Sequence, residues 1–247
     1  MDILIFGGQS NMQGQTESCP DEAPVQGAWE YRLREDELRP LAHPVGEDYD
    51  DLLLAAHEGH GSLLPAFCRA YIAACGEEVT AIHVAKGATT VAEWLEDQPR
   101  YALALKKIRS GIEAAKRRAP IGKIYYIWLQ GESDAIVSTS EEDYLQRLIL
   151  FKNTLVRDVG IDRFGIIRVG YFVYDERDEV IMQAQERAVR EDGDFVMLSR
   201  EAAELSKDER FVNPFAAGHY NNAGMERLGS ESGRILGELR RKSCTSK

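Results

Sequence analysis

Ile3-Leu4-Ile5-Phe6-Gly7-Gly8-Gln9-Ser10-Asn11-Met12 opens the chain with four apolar residues, two glycines and a polar set. The pattern predicts a buried strand that breaks into a tight turn and presents a side chain at its end. Ser10 is that side chain. A hydroxyl at such a turn sits beside freed backbone N–H groups, the donors an oxyanion needs, and the glycines let a substrate approach without meeting a Cβ. What Ser10 still requires is a base, further donors and a pocket.

Downstream, residues 13–60 are rich in Pro, Gly, Asp and Glu and keep no sustained period, so they read as a long loop insertion with at most one short helix or strand pair. Trp29, Tyr31, His43, Tyr49, His57 and His60 lie in it. Pro65 fits a first helical turn and Gly76 a helix stop, which predicts a helix over 66–75. Alternating segments follow: strands over 79–84, 124–129, 164–173 and 195–198, and helices over 101–118, about 140–160, 179–191 and 222–241. With the opening strand this gives a mainly parallel five-stranded sheet in a three-layer α/β/α, flavodoxin-like arrangement, one domain over 1–247. Chemistry in such sheets gathers outside the carboxyl ends of the strands, at the switch in strand order. The turns carrying Ser10, Gly87 and Gln130 are therefore expected at one pocket.

The totals narrow the function. The 247 residues are 44% hydrophobic and 29% charged, an ordinary globular balance. A net charge of −11 argues against a nucleic-acid partner, which needs a basic face. No apolar run approaches a membrane span, and the first strand begins at residue 3 with no basic leader before it, so neither a membrane partner nor secretion is expected and a cytoplasmic location is. Cys19, Cys68, Cys75 and Cys244 have no CxxC and no paired His spacing, which predicts free thiols and no zinc site. The nucleotide fingerprints GxGxxG and GxxxxGK[ST] are absent, and no cofactor or metal is expected. Composition leaves the oligomeric state open.

A serine at neutral pH needs a neighbouring base. Of the five histidines, His219 stands in a loop entering the last helix, Ala216-Ala217-Gly218-His219-Tyr220-Asn221-Asn222, which topology brings to the strand-end rim. His83 lies inside a strand and reads as a buried packing residue; His43, His57 and His60 belong to the long loop. Gln130, at the end of the third strand, has an amide that can donate to an oxyanion or stabilise a turn. Glu132 and Asp134 can each hold a histidine, bind a sugar hydroxyl or cap the turn. Gly87 offers an unobstructed N–H.

Four blocks resemble the sialate O-acetylesterase and acetylxylan esterase branch of the SGNH (GDSL-like) hydrolases: Gly8-Gln9-Ser10-Asn11-Met12, Gly87-Ala88-Thr89-Thr90 through Trp94, Trp128-Leu129-Gln130-Gly131-Glu132-Ser133-Asp134, and His219 through Gly224 to Gly229. They stand in family order over residues 7–229. The resemblance implies hydrolysis of acetyl esters on a small molecule or oligosaccharide. Ser10 would be the nucleophile and His219 the base, with the N–H groups of Ser10 and Gly87 and the side chain of Gln130 as oxyanion donors. Gln9, Asn11 and Asp134 are expected at the substrate.

One position departs from the pattern. The family usually has an aspartate three residues before the histidine, and here Ala216 stands there. Removing that acid from a serine-protease triad lowers turnover by ~10⁴. Glu132, with Asp134 second, is the expected substitute; a Ser–His dyad, or a carbohydrate-binding protein that has lost turnover, are the alternatives.

Overall fold

The computed structural model describes residues 1–49, 53 and 60–245. Its central strand is β1 (Asp2–Gly8), every residue of which is buried. The chain continues through α1 (Ser10–Gln13), β2 (Ala28–Arg32), β3 (Glu37–Pro40), α2 (Leu64–Cys75), β4 (Val79–Ala85) and a 3₁₀ turn at Val91–Trp94. Then come α3 (Pro99–Arg118), β5 (Ile124–Leu129), α4 (Glu132–Ile136), α5 (Glu141–Val159), β6 (Arg163–Ile167), α6 (Glu176–Glu191), β7 (Phe195–Ser199), α7 (Ala202–Leu205) and α8 (Asn222–Thr245).

The sheet has seven strands in the order β3-β2-β4-β1-β5-β6-β7, all parallel except β3. That is seven strands where five were expected, because the strand pair allowed for in the 13–60 segment joins the sheet, β2 adding to β4 and turning back as β3. Their charged residues hid the strand pattern. Glu30 points inward and is 1% exposed, but it is ion-paired with Arg32 at 3.0 Å, and nearby Lys107 of α3 pairs with Glu47 at 2.9 Å. Buried charge is tolerated here because each ion has a partner.

The strand expected over 164–173 stops at Ile167. Beyond Arg168, whose N–H still reaches the Ser199 carbonyl at 3.0 Å, the backbone N–H groups leave the sheet: Val169 donates to Gln185 Oε1 at 3.0 Å, and Tyr174 to Asp178 Oδ2 at 2.7 Å. The apolar residues there cover the sheet's end without pairing along it.

Helices α2 and α8 cover one face, and α3, α5 and α6 the other. Between α2 and α8 the backbones approach so closely that a Cβ on Gly233 would lie 2.1 Å from the Phe67 carbonyl oxygen. Under the second face Trp94 meets Trp128 edge-on at 5.6 Å, and Tyr126 stacks on Phe164 at 5.1 Å. Such pairs each add about 0.5–1.5 kcal/mol beyond the area they bury.

Register places the site. Gly8 pairs with Ala85 on one side and with Leu129 on the other, so the turns after β1, β4 and β5 leave the sheet at one level. Because β4 and β5 flank β1, the crossovers diverge at its carboxyl end, where an open α/β sheet forms its crevice.

Candidate active site

Gly8 makes the opening turn possible. Its φ is +146°, and a Cβ there would stand 2.0 Å from the Leu129 carbonyl oxygen, so no larger residue fits. The chain then winds into α1, which brings Ser10 and Gln13 to a cavity of about 300 Å³. Lys86, Gly87 and Ala88 form one wall, and Phe172 and His219 another. Ser10 and Gly87 abut: a Cβ placed on Gly87 would lie 3.4 Å from that of Ser10.

His219, 209 positions further along by the numbering, thus faces the same cavity as Ser10. Its Nδ1 lies 2.9 Å from the carbonyl oxygen of Ala217. A carbonyl only accepts, so Nδ1 carries the proton and Nε2 the lone pair. Nε2 is shielded from solvent and has no hydrogen-bond partner among the described residues. Burial pushes this imidazole below the usual histidine range; the carbonyls of Ala217 and Ala216 oppose the shift and nearby His60 adds to it. The ring stands edge-on to Phe172, centroids 5.8 Å apart.

Asn11, expected at the substrate, instead clasps the histidine loop. It is 1% exposed; its Nδ2 donates to the Gly218 carbonyl at 3.2 Å and its Oδ1 accepts from Tyr220 N–H at 3.4 Å, the two residues flanking His219. Glu132, expected behind the imidazole, sits one step further away. Its Oε1 accepts from Asn11 Nδ2 at 2.8 Å, its Oε2 has no partner among the described residues, and burial raises its pKa. Among the described residues no carboxylate touches His219 Nδ1; the backbone of its own loop does, because the turn at 216–219 folds a carbonyl onto the ring where an aspartate would reach.

Gln130 and Asp134 lie behind the cavity wall. Gln130 is fully buried, and its Nε2 donates to Asp134 Oδ2 at 2.6 Å and to the Thr89 carbonyl at 2.7 Å. Asp134 also accepts from Val91 N–H at 2.8 Å and Thr139 Oγ1 at 3.0 Å. Neither side chain lines the cavity, since the turns after β4 and β5 consume their polar atoms. Gln9 does line it. The Gly87 N–H is engaged as well, donating to Gln13 Oε1 at 2.9 Å.

Sequence reading missed Gln13, Gln15, Lys86 and Phe172 as cavity residues. Phe172 was hidden in the over-long strand, and Gln13 could have been found as one helical turn beyond Ser10. The remaining histidines go elsewhere. His83 is 3% exposed with Nε2 donating to the Met12 carbonyl at 3.1 Å, as expected of a packing residue, and burial pushes its pKa down to about 3. His60 Nδ1 meets the Thr16 carbonyl, and His43 lines a different cavity with Arg69 and Glu226. His57 lies outside the described residues. Cys19, Cys68 and Cys75 are free thiols. Among the described residues no His, Cys, Asp and Glu side chains group as metal ligands, and no helix is long and apolar enough to cross a membrane.

Among solved structures, the chain is similar to a protein from Arabidopsis thaliana, at 19% identity and a TM-score of 0.74 over 95% of this chain and 96% of that one. It is similar to a carbohydrate acetylesterase from Xanthomonas citri, at 13% identity and a TM-score of 0.58 over 96% of this chain and 56% of that one. A lipase/acylhydrolase from Enterococcus faecalis aligns at 16% identity and a TM-score of 0.54 over 96% of both chains. Comparison with curated proteins finds no match. Sheet order, the strand-end crevice and these likenesses define an SGNH-type hydrolase fold. The family model described as carbohydrate esterase, sialic acid-specific acetylesterase, matches residues 1–233, and the chain belongs to that family. It is accordingly a carboxylic ester hydrolase, which bears out the resemblance carried by the four motif blocks.

Proposed function

We propose that the protein removes O-acetyl groups from a carbohydrate by a Ser10–His219 dyad whose histidine is held by a backbone carbonyl. The observation that carries this reading is that Ser10 and His219 line one cavity while His219 Nε2 is unpartnered and Nδ1 is held by Ala217. His219 Nε2 takes the Ser10 hydroxyl proton as Oγ attacks the acetyl carbonyl carbon. The oxyanion is received by the N–H groups of Ser10 and Gly87, the latter after the acyl oxygen displaces Gln13 Oε1. His219 returns the proton to the departing sugar oxygen, and water attacks the acyl-enzyme by the same route in reverse roles, releasing acetate.

The Ala217 carbonyl fixes the tautomer and steadies the ring, which are two of the tasks of a triad acid. It brings no full charge, and a hydrogen bond to a neutral acceptor is roughly half as strong as one to an ion. Turnover below that of a full triad follows. The lowered pKa of His219 keeps it unprotonated, and hence able to accept, at neutral pH.

Acetate release from p-nitrophenyl acetate and O-acetylated sugars by wild type and Ser10→Ala tests this. The expected loss is on the order of 10³-fold or more; equal rates remove Ser10 from the mechanism. Ala216 and the engagement of Gly87 N–H by Gln13 favour a second reading, a sugar-binding protein without turnover. Covalent labelling of Ser10 by a fluorophosphonate decides against it.

A further inference from the structure

We infer that the side-chain donor to the oxyanion is Gln9, the residue before the nucleophile, and that Gln130 serves to aim it. The inference rests on the esterase reading above and names a catalytic group within it.

A side chain that stabilises an oxyanion must present a free N–H to the cavity. Gln130 cannot in this arrangement. Its Nε2 has two hydrogens and three acceptors around it, Asp134 Oδ2 at 2.6 Å, the Thr89 carbonyl at 2.7 Å and Gln9 Oε1 at 3.3 Å, and the residue is 0% exposed. Its Oε1 in turn accepts from the Tyr144 hydroxyl at 3.2 Å.

Gln9 has the complementary disposition. Its Oε1 accepts from the backbone N–H of Ser133 at 3.1 Å as well as from Gln130. Because a backbone N–H can only donate, the branch facing Ser133 has to be the oxygen, which leaves the NH₂ on the other branch. That Nε2 donates to nothing among the described residues, although Gln9 is 2% exposed and lines the cavity beside Ser10 and Gly87. An amide whose acceptor is doubly satisfied and whose donor has no protein partner at the cavity has an orientation set in advance and a ligand still to find. The acyl oxygen, turning from carbonyl to oxyanion as Ser10 attacks, is the acceptor that the cavity chemistry supplies. Gln130, Asp134 and Ser133 then act as positioning residues that hold the Gln9 amide against a flip.

The test is a pair of substitutions read by steady-state kinetics on an acetyl ester, by fluorophosphonate labelling of Ser10, and by thermal unfolding. Gln9→Glu keeps an oxygen for Ser133 and Gln130 and replaces only the idle NH₂. It is expected to lower kcat by ~10²–10³, with KM nearly unchanged and labelling slowed in parallel. Gln9→Met, which removes both functions, is expected to match it. A folded variant of either kind with wild-type kcat overturns the inference. A crystal structure of the wild-type Ser10 phosphonate adduct gives a readout free of mutation: Gln9 Nε2 within about 3.1 Å of the phosphoryl oxygen supports the inference, and Gln130 Nε2 in that place overturns it. A wild type that neither hydrolyses esters nor takes the label defeats the esterase reading and this inference with it; an active wild type beside an equally active Gln9 variant defeats the inference alone.

Discussion

The turn that carries Ser10 and the loop that carries His219 meet at one cavity but are held by different physics. Residues 9–13 are each at most 5% exposed, and they continue a strand paired on both sides, so the sheet sets their place. The loop before α8 is tied by clasps: Asn11 at Gly218 and Tyr220, Asn213 Nδ2 on the Gln15 carbonyl at 2.7 Å, and Asn222 N–H on Glu17 Oε2 at 2.8 Å. Phe215 within it is 84% exposed. A site half built into the core and half laced onto it tolerates change unequally. The Ser10 side leaves no room for substitution, whereas the His219 side carries Ala216 in its loop and holds the imidazole through the Ala217 carbonyl.

The comparison breaks most completely if the core side can be altered cheaply. Gly8→Ala forces a side chain into a left-handed backbone and against the Leu129 carbonyl. It is expected to cost about 3 kcal/mol or more by urea unfolding, and a loss under 1 kcal/mol shows that the turn is not fixed as described. Ala216→Asp sharpens the other side. A carboxylate near Nδ1 favours the imidazolium, so kcat is expected to rise about tenfold or more. In wild type the acid limb of kcat/KM is expected below 6.5, because burial depresses the His219 pKa and activity is lost only as pH falls through that lower value. The new carboxylate moves the limb upward, and an unchanged pH profile means that it does not reach the ring. The smallest effect belongs to Asn11→Ala, which frees the two residues beside His219 and strips Glu132 of its donor. About 1–3 kcal/mol of stability and a severalfold loss of kcat are expected. Amide exchange should quicken at 216–221 and stay unchanged at 7–10, and equal quickening in both segments removes the distinction drawn between them.

Much of this was legible in the sequence because it follows from periodicity. Apolar runs ending in glycine marked β1, β4 and β5, and their common register put Ser10 and Gly87 side by side. The aim of individual side chains was not legible. Gln9 and Gln130 are both glutamines at the ends of adjacent strands, and only packing tells which amide is consumed behind the wall and which faces the cavity. Glu132 was expected at the imidazole; spacing gives its distance along the chain but not its direction, and it points to Asn11. The β2–β3 pair stayed hidden because Glu30 and Arg32 satisfy each other inside, which no hydrophobic pattern reports.

Beneath α1, His83 props up the Met12 carbonyl with a ring that burial keeps neutral down to about pH 3. The molecule therefore holds two imidazoles with separate answers to acid. On the esterase reading, mild acidification is expected to protonate the His219 imidazole at the rim before the buried His83 ring beneath Ser10. Activity lost to such acidification is then expected to return on neutralisation, with the contact between His83 and the Met12 carbonyl still in place.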